Sequence, residues 1–508
     1  MEQEIKLRML DKIEIKKLLE TDILVDLKGK AAKNVLLSAT YYDTADQLLA
    51  KNQLAYRVRK EGRKWIGTLK GYGSYQGGMH ARKEWNMEQK DDQPRLSVFT
   101  EAKLSSELLA LDGKELQPLF SVETKRTIKE LILSDGSKVE LALDFGIIRG
   151  RGKEERIQEV EIELIEGSII KLVGLASSLA EKWNLVPEKR SKFSRGLDLV
   201  GLKSSELEPA VEKLDDEMPA SLGATKMLVS QTNQLLKCVE EGSWSDCNEE
   251  WLHRFRVRLR QLRTLLILGQ EFLDKDEVAS WQEKLQECFK ATGPVREMDV
   301  LESFLLDLPD DGVGSGRLAA RIQERRTELI QSLQKEWGFG RWTALLLGLW
   351  SWLLGEEKKI QEANAIEKQS LEKWAVEIMN GNVRELWKQR KESDFSDFKW
   401  CHDLRISAKK LRYGLECLEE FLPIRETKQL LVHLELLQED LGRIQDGYCS
   451  KEWLTQLLDA KSHKDMYREA GLLTGWLLRD ALRANQDASE EWERVLKRLK
   501  KWLKYVEG

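Results

Sequence analysis

Eight short segments in the first 166 residues alternate charged and apolar side chains with a period of two, and their charges recur in like-signed pairs. The opening "EQEIKLR" would place Glu2, Glu4, Lys6 and Arg8 on one face of a strand and Gln3, Ile5 and Leu7 on the other. Arg57 and Arg59 share a face in "YRVRK", Thr68 and Lys70 in "TLK", and His80, Arg82 and Glu84 in "HARKEW". Arg126 follows Thr124 in "VETKRT", Asp144 follows Glu140 in "VELALDFG", and "QEVEIEL" sets Glu159, Glu161 and Glu163 opposite Val160, Ile162 and Leu164. A solvated sheet face would account for any one of these segments. It does not account for all of them together, because like charges side by side on one strand face repel unless a counter-charge lies between them. An eight-stranded antiparallel sheet closed into a barrel, polar face inward, meets the requirement. Acids at one end of such a tunnel would hold a divalent metal through oxygen ligands, bases along its wall would hold a polyanion, and the apolar face would pack outward against helices.

The pattern predicts strands at 1–9, 34–43, 54–60, 64–70, 79–88, 118–130, 137–146 and 155–166, with helices near 11–20, 100–110 and 168–184. Glycines in "GYGSYQGG" (71–78) predict a hairpin loop. From about residue 218 the period becomes helical to the end. The polar, acidic stretch "KSSELEPAVEKLDDEMPAS" (203–221) marks the change, giving an expected barrel domain at 1–202, a linker at 203–217 and a helical domain at 218–508. The expected class is therefore α+β, a tunnel followed by an all-α bundle. Neither half is basic overall: residues 1–200 carry a net charge of +3 and the remainder −8, which argues against nucleic acid as the partner. "WTALLLGLWSWLLG" (342–355) is too short for a membrane span and reads as a buried helix, and no signal-peptide pattern opens the chain. Six cysteines without CxxC spacing suit free thiols in a reducing cytoplasm.

The helical half contains an internal repeat. "HRFRVRLRQLR" (253–263) and "HDLRISAKKLR" (402–412) superimpose at an offset of 149, so that His253, Arg256, Arg260 and Arg263 correspond to His402, Arg405, Lys409 and Arg412. At about 100° per residue each quartet falls within a stripe of about 80°. Beside it runs an apolar stripe: Phe255, Leu259, Leu262 and Leu266 in one copy, Leu404, Ala408, Leu411 and Leu415 in the other. The same offset pairs Gly293 with Gly442 and Glu297 with Asp446, as a duplicated bundle would. The basic stripe reads as lacking the i+4 acids of an ordinary solvated helix face, which predicts that it faces an anion.

"EQEIK", taken with "YYDT" (41–44), "YRVRK", "TLK", "RKEW" (82–85), "TKR" (124–126), "LDFG" (143–146), "EVEIEL" and "EKRSKFSRG" (188–196) in that order, resembles the CYTH family, the triphosphate tunnel metalloenzymes. The doubled H-x-x-R-x-x-x-[RK]-x-x-R pattern resembles the CHAD domain, which commonly follows a CYTH domain. The resemblance implies a cytoplasmic inorganic triphosphatase using Mg²⁺ or Mn²⁺, with a helical domain that binds inorganic polyphosphate and associates with polyphosphate granules. Carried over by position, Glu2, Glu4, Asp144, Glu159, Glu161 and Glu163 are the expected metal set. Lys6, Arg57, Arg59, Lys70, Arg82, Arg126 and Lys189, with Lys192, are the expected phosphate grips, and Glu84 orients Arg82 or a water. The two basic quartets are the expected polyphosphate contacts. Thiamine triphosphate, a nucleoside triphosphate, or ATP cyclised as by a class IV-type adenylate cyclase are alternative substrates, and a non-catalytic polyphosphate binder is the alternative class.

Overall fold

The computed structural model describes residues 2–99, 102, 104, 116–203, 214–242, 248–308, 316–363, 369–458 and 462–507. It divides into two compact units, one of residues 1–212, 233–241 and 338–355, the other of 213–232, 242–337 and 356–508.

The first unit is built on eight antiparallel strands: β1 (Glu2–Met9), β2 (Lys33–Asp43), β3 (Leu54–Glu61), β4 (Lys64–Gln76), β5 (Met79–Gln89), β6 (Gln117–Ile132), β7 (Lys138–Gly150) and β8 (Lys153–Glu166). They run round the ring in the order β1-β5-β4-β3-β2-β6-β7-β8, and β8 pairs with β1 to close it. The apolar partners of the alternation face outward. Ile5, Leu7, Val160 and Ile162 are fully buried, as are Leu172, Val173, Ala176 and Leu179 of α1 (Ile169–Trp183), the helix that packs on β1 and β8. Each such side chain contributes roughly 1.5–3 kcal/mol. A second helix, α2 (Lys192–Leu199), starts at Ser191, whose hydroxyl accepts the Ser194 N–H, and buries Leu197 in a cluster with Phe120, Ile148 and Ile157.

Three local expectations need correction. The glycine-rich stretch is not all loop: β4 runs to Gln76 with a register irregularity between Gly71 and Ser74, and the turn is confined to Gly77 and Gly78, both at positive φ. Gly73 lies so close to Arg82 and the Ala81 carbonyl that a Cβ there would collide with both. The helix expected near 11–20 is two short turns, Ile15–Leu19 and Asp22–Val25, parted at the extended Thr21. Two short strands, Lys28–Gly29 and Leu185–Pro187, went unread because neither is long enough to show alternation. The helix expected near 100–110 falls almost wholly outside the described residues. In "YYDT", Asp43 is a local fastener, its oxygens accepting the N–H groups of Thr44, Leu49 and Ala50.

The second unit is helical. Its repeat copies lie on α4 (Glu249–Leu268) and α10 (Phe398–Leu418). Both apolar stripes form core, with Phe255, Leu259, Leu262, Leu266, Leu404, Ala408, Leu411 and Leu415 all at most 1% exposed. The Trp- and Leu-rich stretch at 342–355, which belongs to the first unit, lies in the helix Phe339–Glu362, with Trp342, Leu347, Trp350 and Leu353 buried. No described helix is long and apolar enough to cross a membrane. Among the described residues Cys238, Cys288, Cys401, Cys417 and Cys449 form no disulfide, and Cys247 lies outside them.

Candidate active site and basic helical face

Period-two alternation on a closed ring delivers every second side chain to one cavity, here about 340 Å³. Glu2, Glu4 and Lys6 of β1, Arg57 and Arg59 of β3, Lys70 of β4, Arg82 and Glu84 of β5, Arg126 of β6 and Glu161 and Glu163 of β8 all line it. Seven Lys or Arg side chains face six Glu side chains there. Lys189 is not among the lining residues, whereas Lys192 is. Lining residues that received no role in the sequence reading include Tyr41, Asn86, Glu140, Ser191, Phe193 and His80. Glu140 and His80 lay on the charged faces already noted, so alternation could have found them. Ser191 and Phe193 arrive from a helix start that no strand pattern marks.

Carboxylates gather in one part of the cavity. Strand register sets Glu4 opposite Glu163, and Glu163 opposite Glu140, a row of carboxylates across three neighbouring strands. Burial, reinforced by Glu4 and Glu140, pushes the Glu163 carboxyl up to about 7. Glu2 is pushed up to about 8 by burial and by its hydrogen bond with Glu84, against the pull of Lys70. Glu84 itself, though burial opposes this, is held far below the usual carboxylate range by that hydrogen bond and by Lys70 and Arg57. This end thus holds more carboxylate than its cations neutralise, and Glu2, Glu4 and Glu163 have the oxygen chemistry a hard divalent cation takes.

A second acidic group lies deeper. Asp144, Glu159 and Glu161 place carboxylate oxygens within 4.8 Å of one another. The Lys192 ammonium stands 2.8 Å from an oxygen of each. Arg126 grips Asp144 through two bonds of 2.7 and 2.6 Å and reaches Glu161 at 2.5 Å, while Arg195 pairs with Glu159. Asp144 and Glu159 do not line the cavity. With Glu161 they form a group of acids that could hold a metal ion, and Lys192 and Arg195 are the cations paired with them here.

The wall cations differ in how far they are neutralised. Lys6 lies 3.1 Å from Glu161 and 3.8 Å from Glu4, and Lys70 is shared by Glu2 and Glu84. Arg57 has Glu84 at 3.9 Å and the Tyr41 hydroxyl at 3.4 Å. Burial and the neighbouring Arg57 lower Arg59 to about 10. Arg57, Arg59 and Arg82 each retain a buried Nε without a hydrogen-bond acceptor among the described residues.

On the helical unit, α4 and α10 pack together and bring the two quartets near one another. Burial and the charges of Arg405 and Arg260 lower Lys409 to about 7; burial and Arg260 lower Arg256 to about 10. Arg256 is anchored to the Phe289 carbonyl at 2.8 Å and the Thr292 hydroxyl at 2.6 Å. Arg260, Arg263 and Arg405 each hold a buried Nε without a hydrogen-bond partner among the described residues. His402 meets Gln445 at 2.7 Å, and His253 is pushed down by burial and by Arg296. Arg412 departs from the expected unpaired stripe, because Glu416, one turn on, lies 3.4 Å away and Glu435 3.6 Å.

Residues 1–197 match the CYTH domain family and residues 226–455 the CHAD domain family. An inorganic triphosphatase of Haemophilus influenzae is 32% identical over 202 residues, which is 38% of this chain and 56% of that protein, so the chain matches about half the length of this curated relative. Among solved structures, the CHAD domain of the plant Ricinus communis is 23% identical, covering 56% of this chain and 94% of that one at a TM-score of 0.45. An adenylyl cyclase candidate from Hippeastrum with a dominant triphosphatase activity is 21% identical, covering 41% and 100% at a TM-score of 0.30.

Proposed function

Because the chain carries a CYTH domain followed by a CHAD domain, we propose that it hydrolyses inorganic triphosphate to diphosphate and phosphate with Mg²⁺ or Mn²⁺, and binds inorganic polyphosphate on its helical unit. The observation that carries the reading is the in-register row Glu4–Glu163–Glu140 at one part of a cavity that also takes seven Lys or Arg side chains. A divalent metal held by Glu2, Glu4 and Glu163 would neutralise phosphate charge and bridge it to the carboxylates. Lys6, Lys70, Arg57, Arg59 and Arg82 would spread along the phosphate chain, aligning it and stabilising the charge that develops on the leaving diphosphate. Arg126, clamped by Asp144 and Glu161, would present a guanidinium that cannot swing away. Phosphate-anhydride cleavage of this kind needs positioning and charge stabilisation more than a protein nucleophile. A cytoplasmic enzyme held beside polyphosphate granules is the corresponding location.

The test is phosphate release from tripolyphosphate, ATP, thiamine triphosphate and long-chain polyphosphate with Mg²⁺ or Mn²⁺. Tripolyphosphate is expected to be turned over fastest. Preference for ATP or thiamine triphosphate would move the assignment to an organic triphosphate, and no release from any of them would leave a binding protein.

For the helical face, replacing Arg256, Arg260, Arg405 and Lys409 together is expected to weaken long-chain polyphosphate binding and flatten its salt dependence. Tripolyphosphate turnover should remain. Lys409 sets the pH dependence. Its folded value lies below that of a free lysine, so it is largely neutral at pH 8 and protonated at pH 6. Polyanion affinity should therefore rise as pH falls through about 7, with proton uptake on binding at pH 8 detected as a buffer-dependent calorimetric heat. Unchanged, equally salt-sensitive binding in the quadruple variant would make the stripe ordinary surface.

A further inference from the structure

Among the wall cations, Arg82 is the one without a carboxylate partner. No carboxylate lies within ion-pair distance of it among the described residues, whereas Lys6, Arg57, Arg59, Lys70, Arg126 and Lys192 each have at least one. Its protein partner is His80, whose Nδ1 lies 3.4 Å from Arg82 Nη2. The other ring nitrogen, Nε2, lies 2.9 Å from the carbonyl oxygen of Glu188. A carbonyl only accepts, so Nε2 carries the proton and Nδ1 is left as a lone pair. A guanidinium only donates, so that lone pair suits Arg82. The ring is 2% exposed and packs on Tyr75 with centroids 5.0 Å apart. Burial, with the positive charges of Lys6 and Arg82 outweighing Glu161, keeps it neutral.

We propose that His80 is a positioning residue: its Nδ1 lone pair, fixed by the Glu188 carbonyl, aims the Arg82 guanidinium into the tunnel without neutralising it. A carboxylate at position 80 would also aim Arg82, but would bind its charge and compete with phosphate. The neutral imidazole takes none of the Arg82 charge, so the carboxylates that temper it are the more distant Glu4 and Glu2, which makes Arg82 a first contact for incoming phosphate. This inference rests on the triphosphate reading of the cavity. Its test is arranged so that the two can fail separately.

Affinity for tripolyphosphate is measured by calorimetry in EDTA, so that hydrolysis plays no part. His80→Gln keeps a donor near the Nε2 position and loses the acceptor toward Arg82; His80→Asn keeps an acceptor near Nδ1. We expect about ten-fold weaker binding for His80→Gln and a smaller loss for His80→Asn. In an Arg82→Met background, His80→Gln should cause no further loss, because the histidine acts through the arginine. A loss that persists undiminished in that background, or no loss at all, would overturn the proposal. The tautomer on the wild-type protein decides it without any variant: nitrogen NMR at pH 7.5 should find Nε2 protonated and Nδ1 bare, and the opposite tautomer would overturn it. Binding with these signatures but without phosphate release would sink the triphosphatase reading alone.

Discussion

Glu4→Gln is expected to lower phosphate release from tripolyphosphate by about 10²–10³-fold, the scale on which removing a dedicated charge-stabilising group acts, while the protein stays folded. The substitution keeps the shape and removes one negative charge from the row Glu4–Glu163–Glu140, where like charges already oppose one another across the register. Losing that charge relieves repulsion in the empty protein and removes an oxygen ligand when metal is bound. Thermal unfolding without metal should therefore be unchanged or slightly improved, and the stabilisation that Mg²⁺ or Mn²⁺ confers on the wild type should shrink. Turnover within a few-fold of wild type, with metal stabilisation intact, would remove Glu4 from the metal set.

Lys192→Met should act in the opposite way, on folding first. The lysine touches three buried carboxylates at 2.8 Å each, and methionine would leave Asp144 and Glu159 with less counter-charge in a site closed to water. Breaking a buried ion network in this way costs roughly 3–5 kcal/mol. The effect depends on pH with a definite sign. In the wild type the lysine holds Glu161 and Asp144 below their usual range, though burial opposes it, so their contribution is complete above the unfolded carboxylate values and fades as pH falls through the folded ones. Without Lys192 the same carboxyls would be held down less, by Arg126 and, for Glu161, by Lys6, so acid would protonate them sooner than in the wild type. The stability gap between variant and wild type should therefore narrow below about pH 5. Equal thermal midpoints at pH 7 would mean that the triad does not depend on its lysine.

The sequence disclosed the barrel because alternation is a local signal, and on a closed ring each strand's polar face has one destination. It disclosed the apolar stripes of α4 and α10 for the same reason, since helical period alone selects their buried side. The Lys192 triad was not legible in that way. Lys192 reads as one cation in "KRSKFSR", and its partners lie 31 to 48 positions upstream on two strands. The role of His80 was hidden by the same separation, because the carbonyl that fixes its tautomer is 108 residues away. The Arg412–Glu416 pair, by contrast, was within reach of a one-turn rule and was passed over in favour of the stripe's general character. Distances along the chain, more than residue type, separate what could be read from what could not.

The ring is shut by β1 meeting β8, strands whose paired residues stand some 150 positions apart, and Glu4 and Glu163 face each other across that junction. Contacts so remote in the chain carry a large loop-closure penalty and form slowly. A newly made or refolding molecule can hold all of its hairpins and still have no competent acidic row. The carboxylate row across β1, β8 and β7 therefore exists only where the cylinder is closed.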